Sequence, residues 1–166
     1  MTKKNIAIFF LLCCLGGALY FFLHPSREQQ IRARLDQLCK VIKKQENELP
    51  LDSLTKAARI GKIFQDPCLI HFTHPGLDGT LSRQEVIQHI SMARNGFTRL
   101  KLSFHDILFK FPDNSQATLS LTMRIQGLLR AEKEPFADVR ELRMDLEQTN
   151  GTWHINRVEE IQVLER

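Results

Sequence analysis

The sequence predicts an α+β domain in which three N-terminal helices pack on a curved four-stranded antiparallel meander, preceded by one transmembrane helix. Three observations carry this expectation. The C-terminal stretch, Phe97 to Arg166, falls into four runs that alternate apolar and polar residues, the period of a strand with one buried face. Turn signals at Pro112-Asp113-Asn114-Ser115, Glu132-Lys133-Glu134-Pro135 and Asn150-Gly151 separate those runs. A sheet with one apolar face needs a cover, and upstream segments with helical spacing and capping signals supply it.

The chain begins with a short basic tail, residues 1–5, carrying Lys3 and Lys4. Ile6 to Leu23 then contains no charged residue and is rich in Phe, Leu and Ile. At the helical rise it reaches roughly 27 Å, enough to cross a bilayer. A cleaved secretory signal has an apolar region of about 7–15 residues and a small-residue cleavage site. Here the run is longer and ends Tyr20-Phe21-Phe22-Leu23. A lipidated cysteine at Cys13 or Cys14 is disfavoured because Leu12 and Cys13 fit the preceding, normally small position poorly. The segment is therefore read as an uncleaved anchor, residues 6–23, with a linker over 24–26 and a domain over 27–166. Lys3 and Lys4 place the N-terminus in the cytoplasm and the domain outside the inner (plasma) membrane.

After the linker, Ser26 with Gln29 forms a capping-box pattern. Ile31, Leu35, Leu38 and Ile42 then share one stripe, which predicts a helix from Arg27 to Glu46. Its basic residues Arg32, Lys40, Lys43 and Lys44 are either a solvated face or a surface for anionic headgroups. Asp52 or Ser53 caps a second helix expected to run to Phe64. Asp66-Pro67 is read as its breaker, followed by a short strand at Cys68–Phe72. His74-Pro75-Gly76 and Asp78-Gly79 turn the chain so that Thr80-Leu81 pairs back. Ser82 and Glu85 form another capping box, opening a third helix that Gly96 ends.

In the meander, Leu100, Leu102 and Phe104 share a face, after which the apolar phase flips at His105-Asp106 to Ile107, Phe109 and Phe111. A one-residue flip predicts a β-bulge. The second strand places Leu119, Leu121, Met123 and Ile125 inward, and the third Leu142, Met144 and Leu146. The fourth carries Trp153, Ile155 and Val158, with a second phase slip near Asn156-Arg157.

The order of elements resembles the nuclear-transport-factor-2-like, or SnoaL-like, superfamily over roughly Arg27 to Glu165. Gly79-Thr80-Leu81-Ser82-Arg83-Gln84-Glu85-Val86-Ile87 is similar to its glycine-then-helix motif. Asn150-Gly151-Thr152-Trp153-His154-Ile155-Asn156-Arg157-Val158 is similar to its closing strand. The resemblance implies a cone-shaped fold, a sheet curled around a pocket with helices as the other wall. It does not imply one function, because the superfamily holds isomerases, dehydratases, cyclases and non-enzymatic modules.

The pocket candidates are His105, Asp106 and Trp153. An Asp106 pointing into an apolar cone would be a general acid or base with a raised pKa. The competing reading is the exposed face of a bulge, with Trp153 a core aromatic. Tyr20, the single tyrosine, lies in the anchor, which argues against a tyrosine oxyanion donor in the cone. Ile107, Phe109 and Phe111 offer an apolar face for a protein partner or a homodimer. His71 and His74 lack further ligands, so no metal and no cofactor is expected. Cys39 and Cys68 are either a disulfide or two separate thiols. Net charge is +4; without Lys3 and Lys4 it is 4 − 2 = +2, too small to indicate nucleic acid. Asn150-Gly151-Thr152 matches a glycosylation sequon, and the hairpin turn explains it fully. With no convincing catalytic set, the expected function is a membrane-anchored, non-catalytic binding or assembly module. The alternative is a small-molecule or lipid-pocket protein or enzyme that uses the cone.

Overall fold

The computed structural model describes residues 25–73, 78–131 and 133–161. The expected tail, the anchor at 6–23, the turn at His74-Pro75-Gly76, Glu132 and Val163 lie outside the described residues. By its contacts the chain divides into two compact units, Met1–Arg32 and Ala33–Arg166. In the first, the Ser26 hydroxyl accepts from Gln29 N–H and the Gln29 side chain accepts from Ser26 N–H, the reciprocal capping box.

Helix α1 spans Arg27–Ile42. It stops short of the expected Glu46 because Lys44 turns to extended backbone. Lys44 N donates to Leu100 O at 2.9 Å, and Leu100 N donates to Lys44 O at 3.1 Å. Helix α2 spans Pro50–Ile60, with Pro50 opening it and no side-chain cap at Leu49. It ends before the expected Phe64, which instead begins strand β1, Phe64–His71. The Ile63 carbonyl already accepts from Ile155 N at 3.0 Å, so sheet pairing takes over there. Pro67, expected to break a helix, sits inside β1 at a register shift between Phe64 and Leu69, where a missing N–H is tolerated.

Strand β2, Asp78–Leu81, pairs antiparallel with β1 as expected. Helix α3, Arg83–Asn95, opens on the Ser82/Glu85 capping box and closes at Gly96. It packs on β1, β2 and the start of the meander, and against α2. The meander itself is β3 (Phe97–Lys110), β4 (Gln116–Leu129), β5 (Pro135–Thr149) and β6 (Thr152–Glu160).

The sheet has six strands rather than four, in the order β2-β1-β6-β5-β4-β3. The expected hairpin joins the meander by parallel pairing of β1 with β6, for example Ile70 with Val158. The free edge of β6 is thereby covered, leaving β3 and the short β2 as the outer strands.

Both expected bulges are present. The β3–β4 register shifts between His105 and Leu108, and Asp106 adopts φ +51°. The β5–β6 register shifts so that Asp145 faces Arg157 and Leu146 faces Ile155, leaving Asn156 unpaired. The turn at Asn150-Gly151 has both residues at positive φ, 51° and 74°, the hairpin geometry these residues favour. The core lies between helices and sheet. Leu35, Leu38 and Val41 of α1 and Val86 of α3 are buried, as are the inward rows Ala117-Leu119-Leu121 and Leu142-Met144-Leu146.

Candidate functional site

The inward rows do not fill the space they enclose. A cavity of about 300 Å³ lies between α1, α3 and the sheet. Leu38 and Ile42 of α1 form one wall and Val86, His89 and Ile90 of α3 another. The sheet contributes Leu102 and Phe104 of β3, Met123 and Ile125 of β4, and four alternate residues of β5: Asp138, Arg140, Leu142 and Met144. The strand period of two places these last four on one face. The inward row of β3 ends at Phe104, just before the bulge, and there Leu102 and Phe104 stand opposite Ile125 and Met123 on the cavity side.

Asp138 and Arg140 are the charged groups of this wall. Arg140 Nε donates to Asp138 Oδ2 at 2.7 Å. Its Nη1 donates to both oxygens of Glu160, at 2.9 and 3.0 Å. Glu160 Oε2 also accepts from Thr73 N at 2.9 Å. The hydrogen bond to Asp138 raises the Arg140 pKa above the ordinary arginine value, with Glu160 adding to it. Burial works to raise Glu160, but the Thr73 N–H and the Arg140 guanidinium outweigh it and hold this carboxyl below its ordinary range. Asp138, Arg140 and Glu160 thus form a hydrogen-bonded cluster at a mainly apolar chamber.

The residues expected to serve the pocket lie elsewhere. His105 and Asp106 are exposed at the bulge. The His105 ring meets Ser103 Oγ at 3.0 Å, and Thr122 Oγ1 reaches Asp106 Oδ2 at 3.5 Å. Asp106 takes positive φ at this exposed bulge position and is not among the residues that line the cavity. Trp153 is buried to 2% exposure in the core and does not line the cavity; its carbonyl accepts from Arg34 Nε at 2.9 Å. Ile107, Phe109 and Phe111 are half-buried, with the Phe109 and Phe111 rings stacked at 6.2 Å. The exposed apolar residue there is Leu108, at 69%.

Among the basic residues, Arg32, in the first unit, and Lys40 and Lys43 are exposed. Lys44 is drawn into the fold, its Nζ donating to Arg94 O at 2.9 Å. Its ammonium pKa is lowered by burial and then by Arg130 and Arg94. Lys43 and Lys44 join Arg99 and Lys101 along an open groove beside β3 and β4.

Cys39 and Cys68 are free thiols, half-buried and buried. Burial, then Asp36, pushes Cys39 up to about 11, and burial alone pushes Cys68 up to about 12. Neither is a thiolate at neutral pH, so neither is poised as a nucleophile. Among the described residues no group of three or more His, Cys, Asp or Glu could hold a metal ion. Among them, too, no helix is long and apolar enough to cross a membrane.

No family model matches the chain, and no curated protein matches it by sequence. Solved structures do match in fold. The Kfla4162 protein from Kribbella flavida superposes with a TM-score of 0.66 at 14% identity, over 79% of this chain and 86% of that one. A protein from Novosphingobium aromaticivorans provisionally called a scytalone dehydratase gives 0.68 at 11% identity, over 82% and 84%. A hexachlorocyclohexane dehydrochlorinase, LinA type 2, gives 0.62 at 10% identity, over 80% and 82%. At these identities the likeness speaks of fold alone. Six-stranded curved sheet, three covering helices and structural neighbours together give the domain the nuclear-transport-factor-2-like, SnoaL-like fold.

Proposed function

We propose that the chain is a membrane-tethered, non-catalytic binding module that takes a compact apolar molecule into the chamber between helices and sheet. The observation that carries this reading is the cavity itself: about 300 Å³, walled mainly by Leu, Ile, Phe, Met and Val side chains. A packed interior leaves few spaces larger than a water, so a chamber of this size departs from ordinary core packing. Among the described residues the ionic groups of its wall, Asp138 and Arg140, are paired with each other, which suits binding better than proton transfer.

The expected outcome is saturable binding of an apolar dye, N-phenylnaphthylamine, by the full chain in dodecyl maltoside micelles, at one site per chain. Fluorescence titration with a dye response no greater than that of micelles alone would overturn the reading. The tether rests on the charge-free run Ile6 to Leu23 and on Lys3 and Lys4 before it. It places the domain outside the inner membrane and makes the membrane its first partner. Removing residues 1–24 is expected to shift the protein from the carbonate-washed membrane pellet to the supernatant; retention in the pellet would contradict the tether.

A second reading, an isomerase- or dehydratase-like enzyme, draws on one observation: His89 and Asp138 share the cavity wall. A general base needs a free carboxylate or imidazole near the reacting proton. Arg140 already holds one oxygen of Asp138, which favours the binding module.

A further inference from the structure

Resting on the reading of the chamber as a binding site, we infer that its ligand is an amphiphile whose polar end is a hydrogen-bond donor, an alcohol or amine, and not a carboxylic acid. The polar side chains of the cavity wall are His89, Asp138 and Arg140. An arginine in an apolar pocket is the usual anchor for an anionic headgroup. Here Nε and Nη1 are already committed, and among the described residues only Nη2 makes no hydrogen bond. Arg140 Nε is bonded to Asp138 and Nη1 to both oxygens of Glu160. One guanidinium faces two carboxylates, so the cluster is net negative by one charge.

A carboxylate ligand would bring a third negative charge to a single cation. A donor meets the opposite situation. An ionised carboxylate only accepts hydrogen bonds. Asp138 Oδ2 is engaged by Arg140, and among the described residues no hydrogen bond is formed to Oδ1. Glu160 is further held by Thr73 N–H, which leaves Asp138 as the available acceptor on the wall. His89, on α3, also lines the wall and can donate or accept. The chain as a whole is positive, +4, and would by itself attract an acid; a preference for donors must therefore come from the chamber.

The test displaces bound N-phenylnaphthylamine from the full chain in dodecyl maltoside micelles at neutral pH, with decanol, decylamine and decanoate. Each curve is corrected by that of the cavity-filling variant Met123→Trp, which removes partition into micelles. Decanol and decylamine are expected to displace the dye at concentrations about tenfold below decanoate. Asp138→Asn and Glu160→Gln, each removing one negative charge, are expected to narrow that gap, and either variant suffices if the other does not fold. Decanoate displacing the dye as well as decanol does, or a gap unchanged in the folded variants, would overturn the donor assignment while leaving the binding reading intact. A dye signal identical in wild type and Met123→Trp would instead overturn the binding reading.

Discussion

Replacing Arg94 by alanine is expected to cost about 3–5 kcal/mol of folding stability, the range for breaking a buried ion pair from one side. Arg94 is 2% exposed at the end of α3. Its Nη2 donates to Glu48 Oε1 at 2.6 Å, and its Nε donates to Ile42 O at 3.1 Å. Glu48 is also held by Lys56 Nζ, at 2.7 Å, which in turn donates to Lys43 O. One guanidinium thus ties the last carbonyls of α1, the following loop and α2 to the end of α3. Alanine leaves Glu48, its side chain 6% exposed, with one cation instead of two, and removes the Arg94 donor from the Ile42 carbonyl at the end of α1. Urea unfolding of the two proteins measures the difference; a loss below about 1 kcal/mol, the size of an ordinary surface change, would contradict this account.

The same knot sets an acid limb. Burial works to raise the Glu48 pKa, but hydrogen bonds from Lys56 and Arg94 prevail and hold it below the ordinary carboxylate value. A depressed folded-state pKa contributes stability that is present above the unfolded value, about 4.3, and is lost as pH falls through the folded one. Arg94→Ala should therefore move the onset of acid unfolding to higher pH.

Trp153→Ala is expected to cost a similar amount, about 3–5 kcal/mol, through the void left by a fully buried indole. Trp153 sits opposite Gln148 across the last hairpin, and its backbone carbonyl anchors Arg34 of α1. Because the indole does not line the ligand chamber, dye affinity measured on the folded fraction should change far less than stability. An affinity loss with unchanged urea midpoint would place the indole in the binding site instead.

The comparison of residues with structure shows where periodicity is informative. The meander was legible because each antiparallel strand buries one face, so its alternation survives in the sequence. Both bulges announced themselves as phase flips, at His105-Asp106 and at Asn156. The parallel pairing of β1 with β6 left no such mark. Its partners, such as Ile70 and Val158, are far apart in sequence, and no turn chemistry links them. The site was harder. The phase flip leaves open whether His105 and Asp106 face the chamber or form the exposed face of a bulge, and both are exposed. The charged wall groups were open to inference by counting back in twos along β5 from Leu146, Met144 and Leu142, which reaches Arg140 and then Asp138. Alternation alone does not tell charged wall groups from the polar end of a strand. Arg94 offered no signal, since an arginine in the last helical turn ordinarily answers the helix dipole.

The central claim is that the chamber between helices and sheet is a binding site. Its most direct test is dye titration of wild type, Met123→Trp and Val139→Trp side by side in the same micelles. Met123 lines the chamber, whereas Val139 is 59% exposed on the opposite face of β5. The account predicts saturable binding in wild type and Val139→Trp, and its loss in Met123→Trp with the urea midpoint nearly unchanged. Equal binding by all three proteins would contradict it.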